Sequence, residues 1–448
     1  MIGVVGGAVD TLLRQRQTDG RPVRMGLVGA GFMAKGLVNQ VVNSTPGVQL
    51  TVVCNRTPAK AHAIVTEAGA TPVAAESAAD VVRIAAAGDV AVTDDIALVA
   101  GSDAVEVVVD ATGAVAFGAD LALAAIAGGK HLVLLNAEVD ATLGPLLATK
   151  ADAAGVVYSG ADGDQPAVQM NLIRFVRQIG LRPLVAGNIK GLQDPYRNPT
   201  TQEGFAKRWG QDPWMVTSFA DGTKVSVEEA LVANAAGFSV HKRGMLGRDH
   251  RGHVDELTGM YDVEELRALG GAVDYVVGAQ PGPGIYVLGE HDDPKQRHYL
   301  ELYKLGTGPL YSFYTPYHLC HFEVPTTVAR VALLGDPAIR PMGAPQVDVV
   351  TMAKTDLPAG TALDRPGGYH YYGEAERADV THRDGLLPLG LAEGCTLLRD
   401  VAKDEVIRYD DVAVPGGRLV DRLRAEQDER FFGTPASPAL TGTVTVSR

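Results

Sequence analysis

The sequence predicts an α/β protein built on a doubly wound parallel sheet. Two features predict it: apolar strand-like runs alternate with helical patterns through the early part of the 448 residues, and the first run ends in a glycine turn. That run is Arg24-Met-Gly-Leu-Val28, followed by Gly29-Ala-Gly31-Phe32-Met33-Ala34, a turn of the form G-x-G-x-x-A. Gly29 permits the tight turn off the strand, Gly31 lets the main chain approach a pyrophosphate, and the small Ala34 lets the following helix pack close to the sheet. The pyrophosphate would sit on the N–H groups at the helix start, where the helix dipole favours negative charge. Phe32 and Met33, just past the turn, belong to the same expected cofactor contact.

The remaining strands of the half follow in order. Leu50-Thr-Val-Val-Cys54 is the second strand and completes a βαβ setting. Val105–Asp110 reads as a buried strand ending in Asp110-Ala-Thr112-Gly113. An alanine-rich helix over 122–127 closes at Gly128-Gly129. It leads into Lys130–Asn136, which ends in Asn136-Ala-Glu138, and Gly155-Val-Val-Tyr158 completes the pattern. Ligands of such sheets bind at the carboxyl ends of the strands, where Gly29, Asn55, Asp110, Thr112, Gly113 and Asn136 all fall. The second strand carries no acidic residue at its tip. Asn55-Arg56-Thr57 stands there instead, and Arg56 can face a 2′-phosphate while Asn55 and Thr57 donate hydrogen bonds to it. NADP(H) is therefore expected over NAD(H), the alternative being a solvated Arg56.

Composition narrows the partners. A net charge of −13 argues against nucleic acid or an anionic membrane as the main partner. Hydrophobic residues at 46% and charged residues at 21% read as a globular chain with material for more than one core. Cys54, Cys320 and Cys395 are widely spaced, which suits a reducing cytoplasm and offers neither a zinc frame nor a disulfide framework. The amino-terminal stretch lacks a basic signal-peptide region, and no uncharged apolar run reaches the length of a spanning helix. The expectation is a cytoplasmic enzyme acting on a small molecule.

Five segments are expected. Residues 1–23 form a helical extension, 24–165 the dinucleotide-binding domain, and 166–345 an α+β substrate and oligomerisation domain. Residues 346–426 form a small β-rich module and 427–448 a poorly ordered polar tail. Within the second domain, Gly284–Gly289, Tyr299–Lys304 and Leu310–Tyr314 alternate like antiparallel strands, and a helix over 326–334 is expected to return to the first domain.

Taken together, these motifs resemble a known combination. Gly29–Ala34 and Asn136-Ala-Glu138 resemble the homoserine dehydrogenase-like Rossmann proteins. Lys354-Thr-Asp-Leu-Pro-Ala-Gly-Thr-Ala-Leu363 and Val401–Asp411 resemble a SAF (β-clip) module. With Ser218–Val225 and Ala233–Gly237, nearly the full chain is similar to the 1-deoxy-D-xylulose 5-phosphate reductoisomerase-like (DRL) family. The resemblance implies an NADPH-using oxidoreductase, a link to isoprenoid synthesis, and a homodimer or homotetramer.

Hydride transfer requires a docked nicotinamide, a group that handles the substrate oxygen's proton, and fixed charge to orient the substrate. Nicotinamide is expected near Asp110–Thr112 and Asn136–Glu138, with Glu138 either contacting it or capping a helix. Lysine is the preferred acid, because a buried ammonium readily loses its proton. Lys224, in Asp221-Gly-Thr-Lys before a helix, and Lys190, at a strand end, are the two candidates. Lys224 is favoured by analogy with the homoserine dehydrogenase-like enzymes. His241-Lys242-Arg243, opening a basic loop that runs to Arg251, could clamp a phosphate or carboxylate, and Asp164 is a further expected substrate contact. The pair His318 and His321 lies in a β-like run, which puts the two rings on opposite faces and argues against a shared metal. Asp162, Asp164 and Glu203 leave room for a divalent ion bound by carboxylates and substrate oxygens, with nothing else in the sequence to support it. The expected substrate is a polyol, a sugar acid or a sugar phosphate. No Walker loop, G-x-S-x-G elbow or H-E-x-x-H helix is present.

Overall fold

Seven strands set the first half in order: β1 Val23–Val28, β2 Val48–Cys54, β3 Pro72–Ala74, β4 Val90–Thr93, β5 Val107–Asp110, β6 His131–Leu134 and β7 Tyr158–Gly160. They are arranged β3-β4-β2-β1-β5-β6-β7 in this computed structural model, which describes residues 7–436. Every pairing is parallel. The valine-rich runs of β1, β2 and β5 are buried almost throughout, as parallel strands covered on both faces must be. The chain leaves β1 toward one edge and later returns to its other side at β5. That reversal is the topological switch point at which such sheets open a crevice.

The chain divides into two compact units. The first comprises Met1–Asp140, Leu146–Asp164 and Leu319–Arg340; the second comprises Ala141–Pro145, Gln165–His318 and Pro341–Arg448. The helix Cys320–Leu334 belongs to the first unit and contributes Val324, Val328 and Ala329 to its core. Near the same sheet, Asp140 is fully buried and accepts a hydrogen bond from the Tyr158 hydroxyl at 2.8 Å. Burial raises its pKa to about 7, so its proton is held well above the usual carboxylate range.

The second unit has a mixed sheet: β8 Arg182–Lys190, β9 Arg248–Asp249, β10 Ala272–Val277, β11 Gly284–Glu290 and β12 Leu310–Thr315. Its order is β12-β11-β8-β10-β9, with β8 parallel to β10 and antiparallel to β11. The helices Gln165–Gln178 and Thr223–Ala236 pack on this sheet. All fourteen residues of Thr223–Ala236 are buried, because β13 Val347–Ala353 and β14 Tyr371–Arg377 also pack on that helix. Asn234 fixes this packing: its amide donates to the Val347 carbonyl at 3.0 Å and accepts from the Gln346 and Val347 N–H groups. The antiparallel β13–β14 pair and the short pair β15 Thr396–Leu397 with β16 Val412–Ala413 form a small β-rich terminal part.

Three local expectations fail for physical reasons. Tyr299–Lys304 is no strand; it falls in and just after the helix Pro294–Leu302, whose start is set by Asp293 accepting from the Lys295 N–H and by Pro294 in the first turn. His318–His321 is no β run either, since a helix begins at Cys320. Gln427 does not open a disordered tail. It lies buried in the helix Leu419–Phe432, and of the expected tail 437–448 falls outside the described residues, as do 1–6 of the amino-terminal extension.

That last helix is anchored by Arg424, a fully buried guanidinium. It reaches both Asp348 oxygens at 2.9 and 2.7 Å and Asp428 at 2.9 Å. Replacing Arg424 by Met leaves two buried carboxylates without a cation, so unfolding free energy at neutral pH should fall by about 3–5 kcal/mol. In that variant the carboxyls take up protons more readily folded than unfolded, and the deficit should shrink as pH falls. Denaturant titrations of both proteins at several pH values would check this.

Candidate dinucleotide and catalytic residues

The glycine turn has the backbone it needs. Gly29 adopts φ +112°, and a Cβ there would lie 2.7 Å from the Ala111 carbonyl oxygen. Only glycine lets the chain leave β1 this close to the loop after β5. Gly31 caps the helix Phe32–Ser44 with no side-chain hydrogen bond, and a Cβ on it would meet nothing within 4 Å. The first N–H groups of that helix have no partner from the helix ladder and no side-chain cap at Gly31. Ala34 is fully buried against the sheet, whereas Phe32 is half exposed and Met33 partly so. This open, uncapped start fits the diphosphate of a dinucleotide.

At the tip of β2, Arg56 and Thr57 are exposed, and the Asn55 amide donates to the Thr57 carbonyl at 2.9 Å. Burial pushes the Cys54 thiol up to about 12, helped by the nearby carboxylates of Asp95 and Asp94. Cys54 is thus an inert packing group. None of the three cysteines forms a disulfide.

After β5 and β6 the expected residues form one network. Asp110, fully buried, accepts from the Thr112 N–H at 2.9 Å, the Thr112 hydroxyl at 2.7 Å and the Asn136 amide at 3.0 Å. The Asn136 amide also reaches the Ala114 carbonyl, and its oxygen caps the helix Ala137–Ala154 through the Val139 N–H. Burial raises the pKa of Asp110 despite those three donors, and the charge of Glu138 raises it further. Asp110 and Asn136 thus spend their polar atoms shaping two loops, Thr112 is only partly buried, and Gly113 is exposed. Glu138 lies in the first helical turn with little exposure. Asp164 is half-buried, and its neighbour Asp162 is paired with Arg330 at 2.9 Å.

In the second unit Lys224 is buried in the first turn of the helix Thr223–Ala236, within the helix rather than ahead of it. Lys190 ends β8 and is half-buried. Close by is a group of buried polar residues that the sequence reading missed. Glu228 accepts from the Asn188 amide at 3.0 Å, and Glu229 accepts from the Gln169 amide at 2.7 Å. Burial pushes the Glu229 pKa well up, the charges of Glu228 and Asp274 add to the rise, and Lys190 opposes it. Lys190 therefore sits within electrostatic range of a carboxyl whose pKa is raised by burial. The missed signal was Glu228-Glu229 inside a helix with no polar stripe: two adjacent acids among Val, Ala and Leu on every side.

The basic loop does not gather as a clamp. Arg243 is paired with Glu376 at 2.9 Å, Arg248 lies 5.3 Å above the Tyr261 ring, and the largely buried His241 ring sits 6.2 Å from that of Tyr261. Lys242 is exposed. A separate buried pair joins Lys354 to Asp221 at 2.8 Å, with the remaining lysine donors taken by the carbonyls of Arg197 and Gly368. Among the described residues no group of three His, Cys, Asp or Glu side chains could hold a metal ion, and no helix is long and apolar enough to cross a membrane.

Residues 163–324 match the family model described as the catalytic domain of oxidoreductase DRL. Residues 12–123 match that of shikimate/quinate 5-dehydrogenase. No curated protein sequence matches the chain. Among solved structures it is similar to an NAD-binding oxidoreductase from Klebsiella pneumoniae, at 20% identity and TM-score 0.27, covering 39% of this chain and 43% of that one. It is also similar to a probable dehydrogenase from Thermotoga maritima, at 13% identity and TM-score 0.42, covering 72% and 91% respectively. A third is the myo-inositol dehydrogenase of Lactobacillus casei, at 11% identity and TM-score 0.40, covering 72% and 88%. The parallel Rossmann sheet and the match of residues 163–324 to an oxidoreductase catalytic domain support an NAD(P)-dependent oxidoreductase function.

Gly29→Val should close the turn against the Ala111 carbonyl. Strain of about 1–3 kcal/mol is expected to lower the melting temperature and weaken dinucleotide affinity at least tenfold. Thermal melts and NADPH fluorescence titration would check it.

Proposed function

We propose that this chain is an NADP(H)-dependent oxidoreductase of DRL type, acting on a small polyol, sugar acid or sugar phosphate. The observation that carries the reading is the uncapped helix start after Gly29–Gly31, in the same chain as a segment matching an oxidoreductase catalytic domain. The main-chain N–H groups from Phe32 onward hold the diphosphate, and Arg56 with Thr57 holds the 2′-phosphate. The cofactor, when bound, supplies the hydride.

The protein's own part is to move a proton. A lysine ammonium, Lys224 or Lys190, donates to the carbonyl oxygen as it becomes an alkoxide, and takes the proton back in the reverse direction. Glu229, a buried carboxyl of raised pKa, lies within electrostatic range of the second candidate. Glu138 orients the nicotinamide or the substrate. Asp164 is a proposed substrate contact; the His241-Lys242-Arg243 loop is not, since Arg243 is spent on Glu376. In a reductoisomerase the carbon skeleton rearranges before the reduction; in a homoserine-type or sugar-acid dehydrogenase the same proton step stands alone. A cytoplasmic location and a homodimeric or homotetrameric assembly are part of this proposal.

Purified protein should oxidise NADPH with 1-deoxy-D-xylulose 5-phosphate. Reduction of NADP+ with homoserine or an aldonate instead would move the assignment to a plain dehydrogenase, and no turnover despite tight binding would leave a ligand sensor. Arg56→Glu should weaken NADPH binding by about tenfold or more while NADH binding changes little, as expected when a cation facing a phosphate is replaced by an anion; equal losses would remove the 2′-phosphate role. Lys224→Ala should cut kcat by about 100-fold or more with cofactor affinity intact, the usual scale for a general acid. If kcat survives in that variant and falls in Lys190→Ala, Lys190 is the proton donor.

A further inference from the structure

The helix Cys320–Leu334 places a histidine that the dinucleotide reading has not used. Two close approaches fix the start of this helix in the first unit. A Cβ on Gly163, just beyond the end of β7, would lie 2.6 Å from the Cys320 carbonyl oxygen and 2.8 Å from its nitrogen. A Cβ on Gly36, in the second turn of the helix after the glycine loop, would lie 2.8 Å from the His321 ring carbons and 2.9 Å from Nε2. Both glycines leave room that the His321 segment fills. The helix start therefore lies at the carboxyl edge of the parallel sheet, one turn from the N–H groups that receive the diphosphate.

His321 is half-buried and stacks on Phe322, with ring centroids 4.2 Å apart. Among the described residues neither of its ring nitrogens has a hydrogen-bond partner. Partial burial lowers its pKa, so at neutral pH the ring is an uncharged imidazole with one N–H to donate. The nearest cation on the neighbouring helix, Lys35, is already paired with Glu67. The helix Cys320–Leu334 packs on β1, β5 and β6, whereas the adenosine end, marked by Arg56, lies at β2 on the other side of β1.

We infer that His321 is a cofactor-binding residue that donates a hydrogen bond to the diphosphate or the nicotinamide ribose, and not to the adenosine 2′-phosphate. This rests on the dinucleotide reading and adds to it which half of the cofactor the residue grips.

The test compares two ligands on the full chain: NADPH, and 2′,5′-ADP, which carries only the adenosine end. In His321→Ala, NADPH affinity by titration calorimetry should fall about tenfold, while 2′,5′-ADP affinity and the melting temperature stay at wild-type values. His321→Gln, which keeps a side-chain N–H, should recover most of the lost NADPH affinity. Unchanged NADPH binding in His321→Ala, or equal loss of both ligands, overturns the assignment. If the wild-type protein binds no dinucleotide, the cofactor reading itself falls, and this inference with it.

Discussion

A single buried carboxylate orders the carboxyl edge of the first sheet. Asp110 ends β5, the strand just across the switch point from the glycine turn, and is inaccessible to water. Its oxygens take the Thr112 N–H and hydroxyl and the Asn136 amide, so the loops after β5 and β6 are fixed to one atom group. The Ala111 carbonyl between them stands so close to Gly29 that only glycine fits. The turn proposed to receive a diphosphate is thus shaped as much by β5 as by its own glycines. Losing the Asp110 acceptor would strand several donors at once, which makes this network hard to alter piecemeal.

The second unit answers to a different constraint. The helix Thr223–Ala236 has no exposed face, because the mixed sheet and the β13–β14 pair both pack on it. Polar side chains on such a helix must find partners within the protein or hold their protons. Glu228 and Asn234 do the first, through Asn188 and through the backbone of β13. Glu229 has one amide donor, and burial raises its pKa. A buried carboxyl of raised pKa within electrostatic range of Lys190 follows from packing, before any substrate is considered.

Much of the first sheet was legible in the sequence because parallel strands buried on both faces are written as unbroken apolar runs, and because glycine turns have few alternatives. The runs ending at Val28, Cys54 and Asp110 agree with the strands at their carboxyl ends and differ by one or two residues at their starts. What stayed hidden depends on contacts distant in sequence. Tyr299–Lys304 alternates like a strand, yet Asp293 and Pro294 start a helix that carries this segment, and local capping overrode the alternation. Arg243 looked available for an anion until Glu376, far along the chain, took it. His321 carries no signal in its neighbourhood; its place is visible only through the glycines it packs against.

Charge gives the last step. A chain with a net charge of −13 repels phosphates at long range, so an anionic cofactor must be attracted by groups fixed at short range. Main-chain N–H groups suit that task better than lysines, since they neither titrate nor pair with neighbouring carboxylates. Lys35 illustrates the contrast: one turn into the same helix, its ammonium is spent on Glu67. The backbone at Phe32 and Met33 cannot be neutralised in this way. If the exposed Arg56 holds the adenosine end as proposed, salt should affect that end more than the diphosphate, because screening weakens an exposed ion pair and leaves short hydrogen bonds largely unchanged.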